Sequence, residues 1–289
     1  MMKAVLLCPA PDYPEAFDWA YDNQAAALEQ AGFEVVGRRW TDEAPEAGAD
    51  IVLPLVAWGY HQRVAEWHRL LDRLEADRVP LINPVALLRW NSDKAYLEEL
   101  GQAGVAVVPT MRSDTLGHGT LAAARARFGV DDLVIKPPVS AGADGTYRIG
   151  IGDEIPVDVY GKAMLVQPYQ RSIGSVGELS ILMFGGTYSH ALIKRPKAGD
   201  YRVQPHLGGT EQLCDAPVEA IAVAEAALAK APARPIYARI DLIADDAGQW
   251  QLIELELIEP ALWLGLAPGS AARFGDAIRR EAEEILAKR

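Results

Sequence analysis

The stretch from Tyr237 to Pro260 reads YARIDLIADDAGQWQLIELELIEP. Two runs rich in Ile and Leu flank Asp245, Asp246, Ala247 and Gly248, residues that tolerate turn and left-handed conformations, so the spacing predicts a strand, a tight turn and a returning strand. Side chains alternate faces along a strand. Glu254 and Glu256 therefore point the same way, and Ile253, Leu255 and Leu257 point the other way into a core. Pairing about the turn brings Asp241 close to diagonal with Glu254, so three carboxylates converge on one face of an otherwise hydrophobic ribbon. Like charges this close repel unless a cation offsets them. Oxygen-only ligation favours magnesium, shared between one or two carboxylates and substrate phosphates. The plainer alternative is an acidic edge strand on a solvated sheet face, neutralised by Arg239.

The chain has 289 residues, enough for about two domains or three small ones; half of them are hydrophobic and 24% are charged. A formal net charge of -12 argues against a nucleic acid or an anionic membrane as partner, because both call for a basic face. A nucleotide site needs only a local cluster of Lys and Arg. Two cysteines, Cys8 and Cys214, give neither a disulfide framework nor metal-ligand spacing, and they read as buried small hydrophobes in a cytoplasmic chain. The apolar run at the N-terminus is too short for a signal peptide or a membrane span, and no later segment reaches spanning length.

Lys3 to Cys8 is a continuous apolar run, as expected of a strand buried in a parallel sheet. A helix over Trp19 to Ala31, strands at Glu34–Val36 and Asp50–Val56, a helix over Arg63 to Asp77 and a short strand at Val79–Ile82 complete a small open α/β domain. It lacks Gly-x-Gly-x-x-Gly after the first strand and so is no dinucleotide site. His61 and His68 are too far apart in sequence to share a metal and read as surface or packing residues.

Asn83-Pro84 marks a boundary. Asn91 or Ser92 is expected to cap a helix over Asp93 to Gly101, with Lys94 in its first turn, where a cation hints at an anionic partner. Further strands are expected at Val105–Pro109 and Leu133–Lys136, with a helix at Leu121–Phe128 between them. Lys136, ending an apolar strand, is partly buried and needs an anion, since an unpaired buried ammonium costs several kcal/mol. The small-residue loop Val139 to Thr146 lets backbone N–H groups approach phosphate oxygens, although a plain hairpin loop uses the same residues. Ala163–Val166, Gly177–Phe184 and Tyr188–Ile193 read as strands. Lys194, Arg195, Lys197 and Arg202 then concentrate positive charge where the chain becomes irregular. A helix over Val218 to Lys230, the carboxylate hairpin and a helix over Ala271 to Lys288 finish the chain.

Taken in this order, Lys94, Lys136, the small-residue loop and the carboxylate hairpin resemble the ATP-grasp superfamily, nearest to its glutathione-synthetase-like members and the cycloserine-synthetase type of ligase. The resemblance covers roughly Asn83 to Gly269. It implies a fold of mixed α/β and α+β class: an N-terminal open α/β domain over 1–89, a small central lid over 90–168 and a C-terminal antiparallel-sheet domain over 169–289. By this resemblance Lys94 and Lys136 hold the nucleotide phosphates, and Ser140, Ala141 and Gly142 belong to the mobile phosphate loop. Gln167 to Tyr169 is the adenine hinge, and Glu178 binds the ribose hydroxyls. Lys194 and Arg202 face the transferred phosphate and the acyl substrate, while Asp241, Glu254 and Glu256 are the metal ligands. Two features depart from the pattern: Glu256 stands where asparagine is usual, and Asp144 interrupts a loop that is more glycine-rich in other members.

The implied activity is an ATP-dependent carboxylate–amine ligase using one or two magnesium ions, with manganese able to substitute. A small acid, or a carbamoyl-type carbonyl, becomes an acyl phosphate that an amine attacks. Phosphoryl transfer asks for positioning and charge neutralisation, which Lys136, Lys194, Arg202 and the metal supply without a covalent nucleophile. Residues Met111 to Val166 are expected to close as a lid that excludes water. The implied partners are small molecules, with homo-oligomerisation left open. Two rivals remain: an ATP-binding sensor or scaffold that has lost catalysis, and a plain metabolite binder with an acidic hairpin.

Overall fold

The apolar run at the N-terminus is the middle strand of a parallel sheet in the computed structural model, which describes residues 1–288. That sheet orders β2 (Phe33–Arg39), β1 (Met2–Cys8) and β3 (Ile51–Leu53). It is covered by α1 (Asp18–Gln30) and α2 (Val64–Ala76), whose Trp67, Leu70, Leu71 and Leu74 face the sheet. The strand expected at Val79–Ile82 is reduced to a single parallel bridge between Val52 and Leu81.

Two short helices follow, α3 (Val85–Asn91) and α4 (Tyr96–Gln102). Here the structure corrects the expected helix over Asp93 to Gly101. Lys94 lies in the turn before α4, because its backbone N–H donates to Pro138 O (2.8 Å) and Asp93 turns back onto the N–H of Ala95 (2.8 Å). Neither Asn91 nor Ser92 caps the N-terminus of α4; Ser92 instead closes the C-terminus of α3. The Ser92 hydroxyl accepts from Trp67 Nε1, and the Asn91 amide is engaged by a strand far away in sequence. Val105–Pro109 is likewise no strand, only an isolated parallel bridge of Val107 to Leu252.

The second sheet is antiparallel, ordered β4 (Met111–Ser113), β7 (Met164–Pro168), β5 (Leu133–Lys136) and β6 (Tyr147–Ile149), with α5 (His118–Phe128) packed against it through Leu121 and Ala124. The third, also antiparallel, orders β10 (Thr210–Cys214), β9 (Thr187–Arg195), β8 (Glu178–Phe184), β11 (Tyr237–Ala244) and β12 (Trp250–Glu256). One of its faces buries Leu179, Ile181, Ala238, Ile240 and Leu255 against α6 (Val218–Ala229) and α4. The other packs Leu182, Phe184 and Tyr237 against the N-terminal sheet and α7 (Ser270–Ala287), leaving the rest of that face for polar residues. Arg289, the last residue of the expected third domain, lies outside the described residues. Cys8 is buried, whereas Cys214 on the edge strand is half-buried.

Among the described residues no strand lies beside the outer edge of β12, and unpaired edge groups are costly when buried. Side chains take the strand's place. Asn83 donates to Tyr237 O (3.0 Å) and Leu257 O (2.9 Å) and accepts from Ile236 N. Asn91 bonds Leu255 O (2.7 Å) and Leu257 N (2.9 Å). The Tyr96 hydroxyl both donates to Leu255 O and accepts from Leu255 N. Backbone groups of Ala106 and Val108 complete the row at Leu252. The carboxylate strand is thus clamped from the side opposite its hairpin partner.

Candidate active site

A β-bulge decides where the carboxylates point. Leu242 pairs with Leu252, but Asp241 pairs with Glu254, so Ile253 is the extra residue. Leu252 shares its core with Leu255 and Leu257, a change of parity that only an inserted residue produces. Directly opposite residues of an antiparallel pair share a face. Asp241 and Glu254 are therefore true cross-strand neighbours rather than near-diagonal ones. Ile253 does not join the core of Leu255 and Leu257 as expected. It belongs to a separate apolar cluster with Val108, Ile173, Val203, Ile243, Tyr169 and Tyr201.

Three cations meet these acids. Lys194 is the penultimate residue of β9, not part of the irregular loop, and its ammonium lies 2.5 Å from Glu178 and 3.4 Å from Asp241. Burial works against its charge, but Asp241 and Glu178 outweigh that and raise its pKa. Arg239 donates to Asp241 at 2.9 Å and to Glu256. Burial pushes the carboxyl of Asp241 up, yet Arg239 and Lys194 hold it down at about 2, aided by the hydroxyl of Ser180. Lys94 reaches Glu254 at 3.3 Å. Glu254 is lowered too, with Lys94 and then Lys136 overcoming the effect of burial. Glu256 behaves differently: burial takes it up to about 8 in spite of Arg239.

Lys136 is buried and donates to Ile253 O at 3.1 Å, so the bulge also supplies a carbonyl for this ammonium. Burial lowers its pKa to about 8, with Glu254 pulling the other way. Lys94 meanwhile donates to the carbonyl of Ser140 and lies 3.4 Å from its hydroxyl. The loop after Ser140 turns through Gly142, Ala143 and Gly145, all at φ between 63° and 67°, and a Cβ at Gly145 would lie 2.7 Å from Pro137 Cγ. Ala141 O accepts from Asp144 N within this turn. Lys94 and Lys136 thus tie the small-residue loop and the second sheet to the carboxylate strand.

The remaining expected residues are dispersed around this centre. Gln167 is buried in β7 with its amide on Thr110 Oγ1 (2.9 Å). Tyr169 joins the apolar cluster beside Ile253, under the guanidinium of Arg148 at 4.0 Å from the ring centroid. Arg202 is held in a fork by Asp200, at 3.0 and 3.1 Å, away from the carboxylates. Its loop is anchored by buried Val203 and by Tyr201, whose hydroxyl donates to Thr146 O (3.1 Å). Among the described residues no group of three or more His, Cys, Asp or Glu side chains is arranged to hold a metal by itself. Asp241 and Glu254, both ionised and oxygen-only, suit a hard cation that completes its shell with phosphate oxygens and water.

The comparisons with known proteins agree with this fold. The model of the D-cycloserine synthetase DcsG N-terminal domain matches residues 4–83. The cycloserine biosynthesis protein DcsG of Streptomyces lavendulae is 31% identical over 239 residues, 76% of this chain and 79% of that protein. The chain belongs to the DcsG-like family of ATP-grasp ligases. The crystal structure of D-cycloserine synthetase DcsG superposes with a TM-score of 0.80 at 26% identity, covering 97% of this chain and 99% of that one. The D-alanine–D-alanine ligase of Bacillus anthracis complexed with ATP shares the fold at a TM-score of 0.71 and 18% identity, with 99% of this chain and 97% of that one covered.

In this DcsG-like ligase the sequence reading had undervalued three residues. Arg239, considered only as a neutraliser, is the cation between Asp241 and Glu256. Trp263, at φ 45°, lies over both Lys194 and Arg239. His61, read as a surface or packing residue, has a buried Nδ1 with no hydrogen-bond partner, and burial together with nearby Lys94 lowers its pKa. A Leu-Ile pair breaking the alternation of β12 was the available signal for the bulge. Nothing local marked Trp263.

Proposed function

We propose that the chain is an ATP- and magnesium-dependent ligase that joins a small carboxylate or carbamoyl-type substrate, an amino-acid derivative by kinship with DcsG, to an amine through an acyl phosphate. The observation that carries this reading is the convergence of buried Lys94 on Glu254, directly opposite Asp241, and of buried Lys136 on the adjoining Ile253 carbonyl. So much buried charge, drawn from three segments of the chain, is costly unless it serves a charged ligand.

The cluster of Ile253, Ile243, Val203, Tyr169 and Tyr201 supplies the apolar slot for adenine, with the backbone of Gln167 to Tyr169 as its polar edge. Glu178 is placed for the ribose, while Lys94, Lys136 and the Ser140–Gly142 turn take the phosphates. Asp241 and Glu254 would hold one or two divalent ions, magnesium or manganese, which neutralise phosphate charge when bound. Glu256, held by Arg239 and favouring its proton, is the weakest of the three as a ligand. Lys194 and Arg239 lie beside these acids and face the transferred phosphoryl group. Arg202 swings from Asp200 to the acyl oxygen, where a guanidinium stabilises the oxyanion formed on amine attack.

The test is ADP and phosphate release from ATP and magnesium across a panel of amino acids and small acids, with hydroxylamine as trap. We expect an acid-dependent hydroxamate. Cleavage to AMP and pyrophosphate would overturn the acyl-phosphate route, and ATP binding without turnover on any acid would favour a sensor.

A further inference from the structure

The segment between β12 and α7 carries one residue whose conformation is unusual for its type. Trp263 has φ 45°, a region that bulky side chains seldom enter, and such outliers persist where the surroundings over-determine them. Its neighbours explain the constraint. Leu262 and Leu264 are both buried in the core shared by the N-terminal sheet and α7, and Leu262 O is hydrogen-bonded to His190 Nε2 at 3.0 Å. With both flanking side chains anchored, the left-handed residue turns its indole onto the polar face of the third sheet.

There the indole does two things at once. Its ring lies 5.9 Å from the Lys194 ammonium and 5.4 Å from the Arg239 guanidinium, within the range of cation–π attraction. Its Nε1 donates to Glu211 Oε2 at 2.8 Å. Glu211 is the second residue of β10 and pairs with Lys194 across the ladder. It sits immediately after the loop of residues 196–209, at whose end the Gly209 N–H donates to Gln204 O and a Cβ would lie 2.0 Å from Val203 O. The loop therefore springs from the paired Arg195 and Thr210, one residue beyond which stand Lys194 and Glu211, and Trp263 touches both of these.

We propose that Trp263 is a positioning residue: through its hydrogen bond to Glu211 and its contact with Lys194 it braces the strand pair at the base of the loop that carries Arg202, setting where that guanidinium meets the acyl substrate. This rests on the acyl-phosphate reading for its catalytic consequence, but the tether itself does not. The indole also covers Lys194 and Arg239 from one side, so that their charge is directed at the ligand rather than screened by water. The nucleotide contacts of Lys94 and Lys136 lie on other segments and are independent of it.

The experiment compares Trp263→Phe, which keeps a ring over the two cations but lacks the N–H, with Glu211→Leu, Glu211→Gln and the double variant Trp263→Phe/Glu211→Leu, all in the full chain. Loop freedom is read by the rate of tryptic cleavage after Lys197 and Arg202 in folded protein of measured Tm, which needs no turnover. We expect Trp263→Phe and Glu211→Leu each to speed cleavage and to raise the KM of the acid about tenfold, with the KM of ATP within about twofold of wild type, as misplacement of a single contact does. Phosphate released per ligated product should rise, the double variant should add little to either single change, and Glu211→Gln, which still offers an oxygen acceptor, should approach wild type. Unchanged cleavage rates in Trp263→Phe and Glu211→Leu would overturn the tether, as would additive effects or an equal rise in both KM values. If wild type gave no hydroxamate while cleavage still accelerated, the ligase reading would fail and the tether would stand.

Discussion

The β11–β12 hairpin and the loop of residues 196–209 both bring charge to the third sheet, and they are built in opposite ways. The hairpin is clamped along its free edge by Asn83, Asn91 and Tyr96, and its acids are paired with cations from other segments. The loop holds its one key charge locally: Arg202 binds Asp200, two residues away, and stays partly exposed. Under the proposed function, the charges that take the phosphates are fixed by contacts from distant parts of the chain, where rearrangement would cost many bonds at once. On the same proposal, the charge that adapts to a substrate is given a partner it can leave. The pair is half-buried and formed within one loop, so releasing Arg202 disturbs no contact with a distant segment.

The largest effect should come from the fixed side. Lys136→Met replaces a buried ammonium by an apolar chain of similar length, and we expect turnover to fall about a hundredfold or more with little change in Tm. A folded variant with normal ATP affinity and turnover would remove Lys136 from the site. Next, Asp241→Asn and Glu254→Gln should each lower the rate by about tenfold or more and raise the magnesium requirement, while Asp245→Asn in the turn should not. Comparable losses at Asp245, measured in the same magnesium titration, would mean that the acidic ribbon acts only structurally.

The clamp itself can be broken from behind. Tyr96→Phe removes the hydroxyl that serves both Leu255 N and Leu255 O, leaving buried groups unpaired at a cost of about 1–3 kcal/mol, to be read as a lower midpoint in urea. A midpoint equal to wild type would show that the edge of β12 finds other partners.

Acidification tests the same framework through His190 of β9, whose Nε2–H donates to Leu262 O. Burial lowers its pKa from 6.5 to about 4, so the folded protein favours the neutral ring. Folding then releases protons between those values, and stability should be full above pH 6.5 and decline as pH falls toward about 4. A Tm–pH series in which His190→Gln keeps the same acid limb would assign that limb elsewhere. The smallest effect belongs to the loop: Asp200→Ala should change the KM of the acid only a few-fold, about what the loss of one local ion pair allows. A loss as large as that of Asp241→Asn would put Arg202 on the fixed side of the contrast.

Much of this was legible beforehand. Turn residues between two Ile/Leu runs marked the hairpin, a lysine closing an apolar strand marked Lys136, and the order of these parts pointed to the fold. The misreadings share a cause. Lys94 looked like a first-turn residue because helix signals are local, whereas its amide is drawn away by Pro138. Asn91 looked like a cap for the same reason, although its partner Leu255 is 164 residues away. The bulge at Ile253 escaped because strict alternation is assumed when strands are read, and one inserted residue exchanges the faces beyond it.

By itself, then, the sequence determined the periodic elements, the charged residue types and their order along the chain. These depend on interactions within a few residues, which propensity and spacing report directly. Only the tertiary structure decided that Asp241 faces Glu254, that side chains complete the edge of β12, and that Trp263, packed at the margin of the core, covers Lys194 and Arg239. Each of these is settled by packing and hydrogen bonding between segments far apart in the chain, where the demand to satisfy buried polar groups overrides local preference.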